Sequence, residues 1–285
     1  MQPDNTSCEH GTLYIVATPI GNLGDMTFRA VDVLKTVDVI ACEDTRTSRV
    51  LCQYYHIATP LQAYHEHNEE RKAKHLLEMI TEGKSVALIS DAGTPLISDP
   101  GYHIVRQARA QGVRIVPIAG ASSIITALSA AGMPTDSFYY GGFLPNKTQA
   151  RQMALQKMHA FSSTLVLLES NHRLIDSLKD ALKILGDRQA VIARELTKTF
   201  EEFSAGSLSS LIDNYEARQK VKGEIVLLIA PPEKQHTDIS ELYPMISALL
   251  PYYTVKDIAN LLAPLTAHSR KELYNTIQRR KDEQS

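Results

Sequence analysis

Ser90-Asp91-Ala92-Gly93-Thr94-Pro95-Leu96-Ile97-Ser98-Asp99-Pro100-Gly101 is the stretch on which the fold turns. It follows a short apolar run, Val86 to Ile89, that reads as a buried strand. It precedes an amphipathic helical pattern from Tyr102 to Gln111, stopped by Gly112. The three together make a β-to-α unit, yet links of this kind usually need only about two to six residues. In an open α/β sheet such a loop lies at the carboxyl edge of the strands, where ligands bind.

The loop carries two carboxylates, hydroxyl side chains, bare backbone and no Lys or Arg. A triphosphate cradle needs backbone amides plus a cation. An acidic loop suits a guest with hydroxyls and positive charge. At an effective dielectric of about 20, a carboxylate about 4 Å from a cation gains roughly 4 kcal/mol before desolvation. S-adenosylmethionine, with a ribose diol, an ammonium and a sulfonium, has that chemistry. An ordinary solvated loop is the alternative.

Towards the N-terminus, Leu13 to Ala17 read as a buried strand, with a loop from Thr18 to Asp25 beyond it and a polar arm over residues 1–10. Gly21 and Gly24 allow close backbone approach, while Asp25 argues against phosphate there. Thr27 can cap a helix through Phe28, Val31 and Leu34. A second strand, Val37 to Ala41, ends in Glu43-Asp44-Thr45-Arg46: either a polar cluster for acid–base work or a helix start with a surface ion pair. His65-Glu66-His67 lacks the spacing of a helical zinc site, so no metal is expected and a substrate-facing loop is the better reading. Asn68 then caps a helix closed by Gly83.

Towards the C-terminus, strand Arg114 to Ile118 runs into Ala119-Gly120-Ala121-Ser122-Ser123 and an apolar helix, Ile124 to Ala130. Four β-to-α units predict a mostly parallel sheet covered on both faces. Pro134 and Gly141-Gly142 mark a hinge into a second α/β domain. There, polar clusters again sit at strand ends: Glu169 to Arg173, Arg194 to Lys198, and Lys222-Gly223-Glu224. His172 alone reads more readily as a hydrogen-bonder at a helix start than as a catalyst. Lys147, Arg151, Arg173, Arg194 and Lys198 would form a basic rim if their loops converge.

From about Ile239 the texture becomes helical. Thr254-Val255-Lys256-Asp257 and Ser269-Arg270-Lys271-Glu272 both match the capping-box pattern, giving two short helices in a helix-turn-helix-like tail. The closing Arg279-Arg280-Lys281 could touch phosphate or simply favour a helix C-terminus. The expected divisions are 1–133, 134–235 and 236–285. With 30 Lys and Arg against 32 Asp and Glu, the chain is not a globally basic nucleic-acid coater, so RNA contacts must come from local patches. Three cysteines at unrelated spacings, no signal peptide and no long apolar run imply a cytoplasmic protein.

Gly11 to Asp25, Glu43 to Arg46, Ser90 to Gly101, Gly142-Phe143-Leu144-Pro145, Glu195 to Lys198 and Lys222 to Glu224 occur in the order of a known family. The chain resembles the small-subunit ribosomal RNA cytidine 2′-O-ribose methyltransferases, of the tetrapyrrole-methylase-like class that uses S-adenosylmethionine. The resemblance covers nearly the whole chain, tail included. One departure is Ala119-Gly120-Ala121-Ser122, where the family usually has a Pro-Gly-Pro-Ser turn. The resemblance implies two α/β domains with the cofactor in the cleft between them, and a homodimer. Carried over, cofactor contacts fall at Pro19, Asp91, Thr94, Ile97, Ser122, Ser123, Leu168, Arg194 and Glu224. The implied substrate is a cytidine of the decoding region in assembled small-subunit RNA.

Methyl transfer to a ribose hydroxyl needs alignment, exclusion of water and a proton acceptor. Glu43 and Asp44 are the acceptor candidates, with Arg46 positioning phosphate or the carboxylates; Glu195 and Lys198 come second. Asn22, Asp25, His65, Lys147, His172, Arg173, Glu195 and Lys198 are the substrate-facing candidates. A small-molecule methylase of the same fold acting on tetrapyrroles, and a non-catalytic RNA-binding protein, are the rival readings.

Overall fold

The computed structural model describes residues 11–65, 69–218, 222–232, 239–264, 266 and 268–283. The arm over 1–10, Glu66, His67, the cap assigned to Asn68 and the expected division after 235 lie outside them. The chain divides into two compact units, 1–231 and 232–285.

The first unit holds two five-stranded sheets. In the first the order is β3 (Leu61–Ala63), β2 (Val39–Cys42), β4 (Val86–Ile89), β1 (Thr12–Val16), β5 (Arg114–Ile118), and every pairing is parallel. The inner strands β1, β2 and β4 are buried along their whole length, as continuous apolar runs in a parallel sheet must be. Pro117 sits in β5, an edge strand, where its missing N–H costs no ladder bond. Helices α1 (Phe28–Thr36), α2 (Thr45–Tyr54), α3 (Glu69–Thr81), α4 (Tyr102–Ala110) and α5 (Ser123–Ala130) follow the five strands in turn or link them. Thr27 caps α1 as expected, its Oγ1 accepting from the Ala30 amide at 3.2 Å. The sequence reading lacked β3, which at three residues is too short to show a period.

The second sheet is mixed. Its order is β6 (Phe138–Phe143), β7 (Thr164–Ser170), β10 (Glu224–Ile229), β8 (Gln189–Arg194), β9 (Glu202–Ser207), with only β6 and β7 parallel. Gly141-Gly142 is not a hinge. It lies inside β6, where the register to β7 shifts between Tyr140 and Gly142. Helices α6 (Thr148–Met158), α7 (Leu174–Leu185) and α8 (Leu208–Glu216) pack with this sheet. A separate apolar cluster joins Ile20 and α5 residues Ile124, Ala127 and Leu128 to Val166, Val191, Val226 and Leu228 of the second sheet, so the two lobes pack directly on each other.

Nor do the five cations make a basic rim. Arg151 is buried against Asp180 at 2.6 Å, Arg173 pairs with Glu169 at 2.8 Å, and Arg194 with Glu202 at 2.7 Å. Lys198 holds both Glu195 and Glu224. Only Lys147 keeps an exposed side chain with no cap bond of its own, at the start of α6.

The second unit contains α9 (Tyr243–Leu249), α10 (Val255–Leu262) and α11 (Arg270–Glu283) around Ile246, Ile258, Leu262, Leu273 and Ile277. The Ser269 capping box forms in full, Ser269 Oγ accepting from Glu272 N at 3.2 Å while Ser269 N donates to Glu272 at 2.7 Å. At Thr254 the Oγ1 accepts from Asp257 N at 3.2 Å, but the Asp257 carboxylate accepts from the Thr254 hydroxyl. No helix among the described residues is long and apolar enough to cross a membrane.

Candidate active site

Three loops at the carboxyl edge of the first sheet are laced together by hydrogen bonds. The 90–101 loop forms an antiparallel bridge with the loop after β1, Thr18 N to Gly93 O at 2.9 Å and Gly93 N to Thr18 O at 3.0 Å. Thr18 Oγ1 donates to Ser90 O at 3.0 Å. From the end of β2, the Asp44 amide donates to Asp91 Oδ1 at 3.2 Å. The far end of the loop is fixed by Glu69 of α3, whose Oε1 accepts from Gly101 N at 2.9 Å, His103 N at 3.1 Å and the buried Tyr64 hydroxyl at 3.0 Å. Gly101 brings no side-chain cap to α4, and Glu69 supplies that capping from another element.

Leu96 and Ser98 adopt positive φ (74° and 64°), as do Glu195 and Thr197 (52° and 65°). Left-handed backbone costs a residue with a Cβ about 1–2 kcal/mol, and such strain collects at functional sites. Ser98 Oγ lies 2.6 Å from the Tyr140 hydroxyl on β6, which connects the loop to the second sheet. The 195–198 turn meets the opposite loop at Gly21, where an added Cβ would strike the Lys198 side chain. Gly223 has φ 96°, and a Cβ there would collide with the Glu195 carboxylate.

Between these loops lie two adjoining chambers of about 400 and 410 Å³ that share Ile20, Ala92 and Glu224. Ile97, Ser98, Asp99, Ser123, Phe143, Leu168, Glu169 and Val226 line the first. Pro19, Gly21, Asp91, Lys198 and the Thr47–Leu51 face of α2 line the second. Of the residues expected to hold cofactor, Pro19, Asp91, Ile97, Ser123, Leu168 and Glu224 line a chamber. Thr94, Ser122 and Arg194 brace the walls instead. Thr94 Oγ1 donates to Ala121 O at 3.3 Å, and Ser122 caps α5. Arg194 donates to Glu202 and, at 3.1 Å, to Lys222 O beside Gly223. Thr94 and Thr27, which reaches Ala119 O at 3.4 Å, thereby hold the turn that departs from the Pro-Gly-Pro-Ser pattern.

The carboxylates differ sharply. Burial pushes Asp99 up to about 6, with the nearby Glu43 charge adding to it and a hydrogen bond from Ser90 opposing it. Burial also raises Asp91, and the Asp44 charge adds to that. The Arg46 side chain donates to Asp44 at 2.6 Å and, with the Arg46 amide, lowers it to about 2. Hydrogen bonding to Lys198 lowers Glu195. Burial pulls Lys198 down, yet its bonds to Glu195 and Glu224 outweigh that and leave it raised.

The substrate-facing candidates scatter. Glu195 and Lys198 stand at the cleft, while Asn22 caps the exposed turn that ends at Asp25, its side chain accepting from Gly24 N at 3.0 Å. His172 is exposed, with Nε2 at 3.4 Å from Ser170 Oγ, and His65 follows β3. Arg173 is spent on Glu169, Asn146, Ser170 and Leu144 O. Sequence reasoning missed Asp99, Phe143 and Glu169. Asp99 stood inside the quoted loop, but its perturbation comes from burial in the folded cleft and, second, from Glu43 on another strand end.

Residues 12–212 match the family model described as Tetrapyrrole (Corrin/Porphyrin) Methylases. The chain belongs to the tetrapyrrole methylase family. Among curated members of this family's likeness, it is 45% identical over 276 residues to ribosomal RNA small subunit methyltransferase I of Escherichia coli O157:H7, covering 96% of each chain. It is 44% identical over 271 residues to the protein of the same name in Mesorhizobium japonicum, covering 95% of this chain and 92% of that one. Solved structures share the tetrapyrrole methylase fold at low identity. Diphthine synthase matches with a TM-score of 0.61 at 14% identity over 77% of this chain and 90% of that one. Uroporphyrin-III C-methyltransferase from Thermus thermophilus, complexed with S-adenyl homocysteine, matches with 0.54 at 18% over 76% and 96%.

Proposed function

We propose that this methyltransferase modifies the ribose 2′-hydroxyl of a cytidine in the decoding region of small-subunit ribosomal RNA, with S-adenosylmethionine as donor. The observation that carries the substrate is the chain-long likeness to proteins named ribosomal RNA small subunit methyltransferase I. The cleft supports the donor, because Asp91, Asp99 and Glu224 make an anionic wall and the one lysine there, Lys198, is held by two carboxylates. Ile97, Ser123, Leu168, Pro19, Asp91 and Glu224 would hold the donor, which when bound supplies a methyl group already activated by sulfonium.

The chain's own residues then align, exclude water and move a proton. Asp99 is the best acceptor for the hydroxyl proton. A carboxyl near 6 is ionised at neutral pH and more basic than an ordinary one. Burial holds it there, and the Glu43 charge adds to the effect. Asp44 near 2 is a poor base, and its oxygens are engaged by Arg46 and the α2 cap. Arg46, on the first turn of α2, pairs with Asp44 but keeps its side chain 89% exposed, so it is a cation that an RNA phosphate can reach. A homodimer belongs to the same reading and is checked by light scattering. The test of the whole is tritium transfer from labelled donor: small subunits should take label, and porphyrin precursors should not. Label on the precursors alone would replace the RNA reading with the small-molecule one.

A further inference from the structure

The helical unit carries a second feature that the chemistry of the cleft does not use. Lys256 near the start of α10 and Arg270, Lys271 and Tyr274 on the first turns of α11 line an open notch of about 400 Å³. Among the described residues, none of these three cations pairs with a carboxylate. The nearest acids in sequence are occupied: Asp257 bonds Thr254 Oγ1 at 2.5 Å, and Glu272 accepts from Ser269 N at 2.7 Å. Thr254 and Ser269 already satisfy both helix ends, so the charge of the notch comes from side chains rather than from bare helix amides. Tyr274 is 43% exposed, and Tyr252 and Tyr253, just before the Thr254 cap, are 81% and 52% exposed.

Unpaired cations beside exposed aromatic rings suit a single-stranded nucleic acid, whose phosphates take the charge while unstacked bases lie on the rings. A protein partner would need an acidic, aromatic-binding face, and a duplex would leave the tyrosines without bases to stack on. We infer that the Lys256–Arg270–Lys271–Tyr274 notch docks an unpaired segment of the RNA substrate, gripping phosphates with the three cations and stacking a base on Tyr274. This rests on the RNA reading above and adds to it a separate holding site on the tail.

The test measures binding of the full-length protein to a transcript of small-subunit RNA across a salt series, apart from methyl transfer. Each lost phosphate contact flattens the slope of log K against log salt by about 0.7 for single strands. The Lys256→Ala/Arg270→Ala/Lys271→Ala variant should therefore bind at least about tenfold more weakly in low salt, with a slope shallower by about 2. Its donor affinity, read by calorimetry, should not change. Tyr274→Ala should weaken binding at least about fivefold with an unchanged slope, and Tyr274→Phe should restore it. A charge-matched control, Lys35→Ala/Lys74→Ala/Lys183→Ala, alters exposed lysines of the first unit and should leave the slope alone. Wild-type affinity and slope in the tail variant, or an equal loss in the control, would overturn the inference while the function stands. Wild-type protein that binds the transcript through the notch yet methylates no subunit would sink the function and leave the docking site in place.

Discussion

Ser98, held at a positive φ of 64°, places its hydroxyl 2.6 Å from that of Tyr140. The strained end of the acidic loop is thus fastened to the first strand of the other sheet. A neutral hydrogen bond of this kind contributes about 0.5–1.5 kcal/mol. Tyr140→Phe should raise the dissociation constant for S-adenosylmethionine about three- to tenfold by calorimetry. Ser98→Ala should do the same, and the double variant should add nothing further. Additive losses would mean that the two hydroxyls act separately.

Asp99 gives the pH dependence. Its pKa near 6 in the folded chain exceeds the value of about 3.9 expected when unfolded, so the folded state holds the proton more tightly. Stability therefore falls as pH rises from about 4 through about 6. Asp99→Asn should raise the melting temperature at pH 8 relative to wild type and lose that advantage at pH 4. As proton acceptor, Asp99 must be ionised, so single-turnover methyl transfer should rise with an apparent pKa near 6, and Asp99→Asn should abolish that limb. A pH profile unchanged in the variant would clear Asp99 of the role.

Glu69 anchors the loop from behind. Glu69→Ala strands two backbone amides and the buried Tyr64 hydroxyl, at about 2–4 kcal/mol. The melting temperature should drop by about 5–10 °C. Glu69→Gln, which keeps an acceptor oxygen, should lose less. Equal melting of all three proteins would show that the loop holds itself.

Gly223→Ala combines a positive φ with a collision against Glu195. It should weaken donor binding about tenfold, roughly 1.4 kcal/mol, with the sheets intact by circular dichroism. Wild-type affinity would show that the 222–224 turn stands apart from the donor site.

Much of this was legible in the sequence because it is local. The apolar runs of β1 and β4, the cap Thr27 and the long loop after β4 are read from neighbouring residues. What depends on distant partners was not. Arg151 and Asp180 are 29 residues apart, Lys198 and Glu224 are 26 apart, and Arg194 meets Glu202 only because β8 and β9 pair in that register. Those partners turn a supposed basic rim into paired walls. Gly141-Gly142 misled for a related reason, since glycine marks a bulge inside a strand as readily as a hinge between domains. The basicity of Asp99 comes first from its burial in the folded cleft, and Glu43, a residue on another strand end, adds to it.

The most direct measurement is mass mapping of ribose methylation in small-subunit RNA from cells with and without this protein. One cytidine of the decoding region should carry a 2′-O-methyl group when the protein is present and lose it when the protein is absent. An unchanged ribose methylation map, or a lost methyl on a base instead of a ribose, would contradict the account.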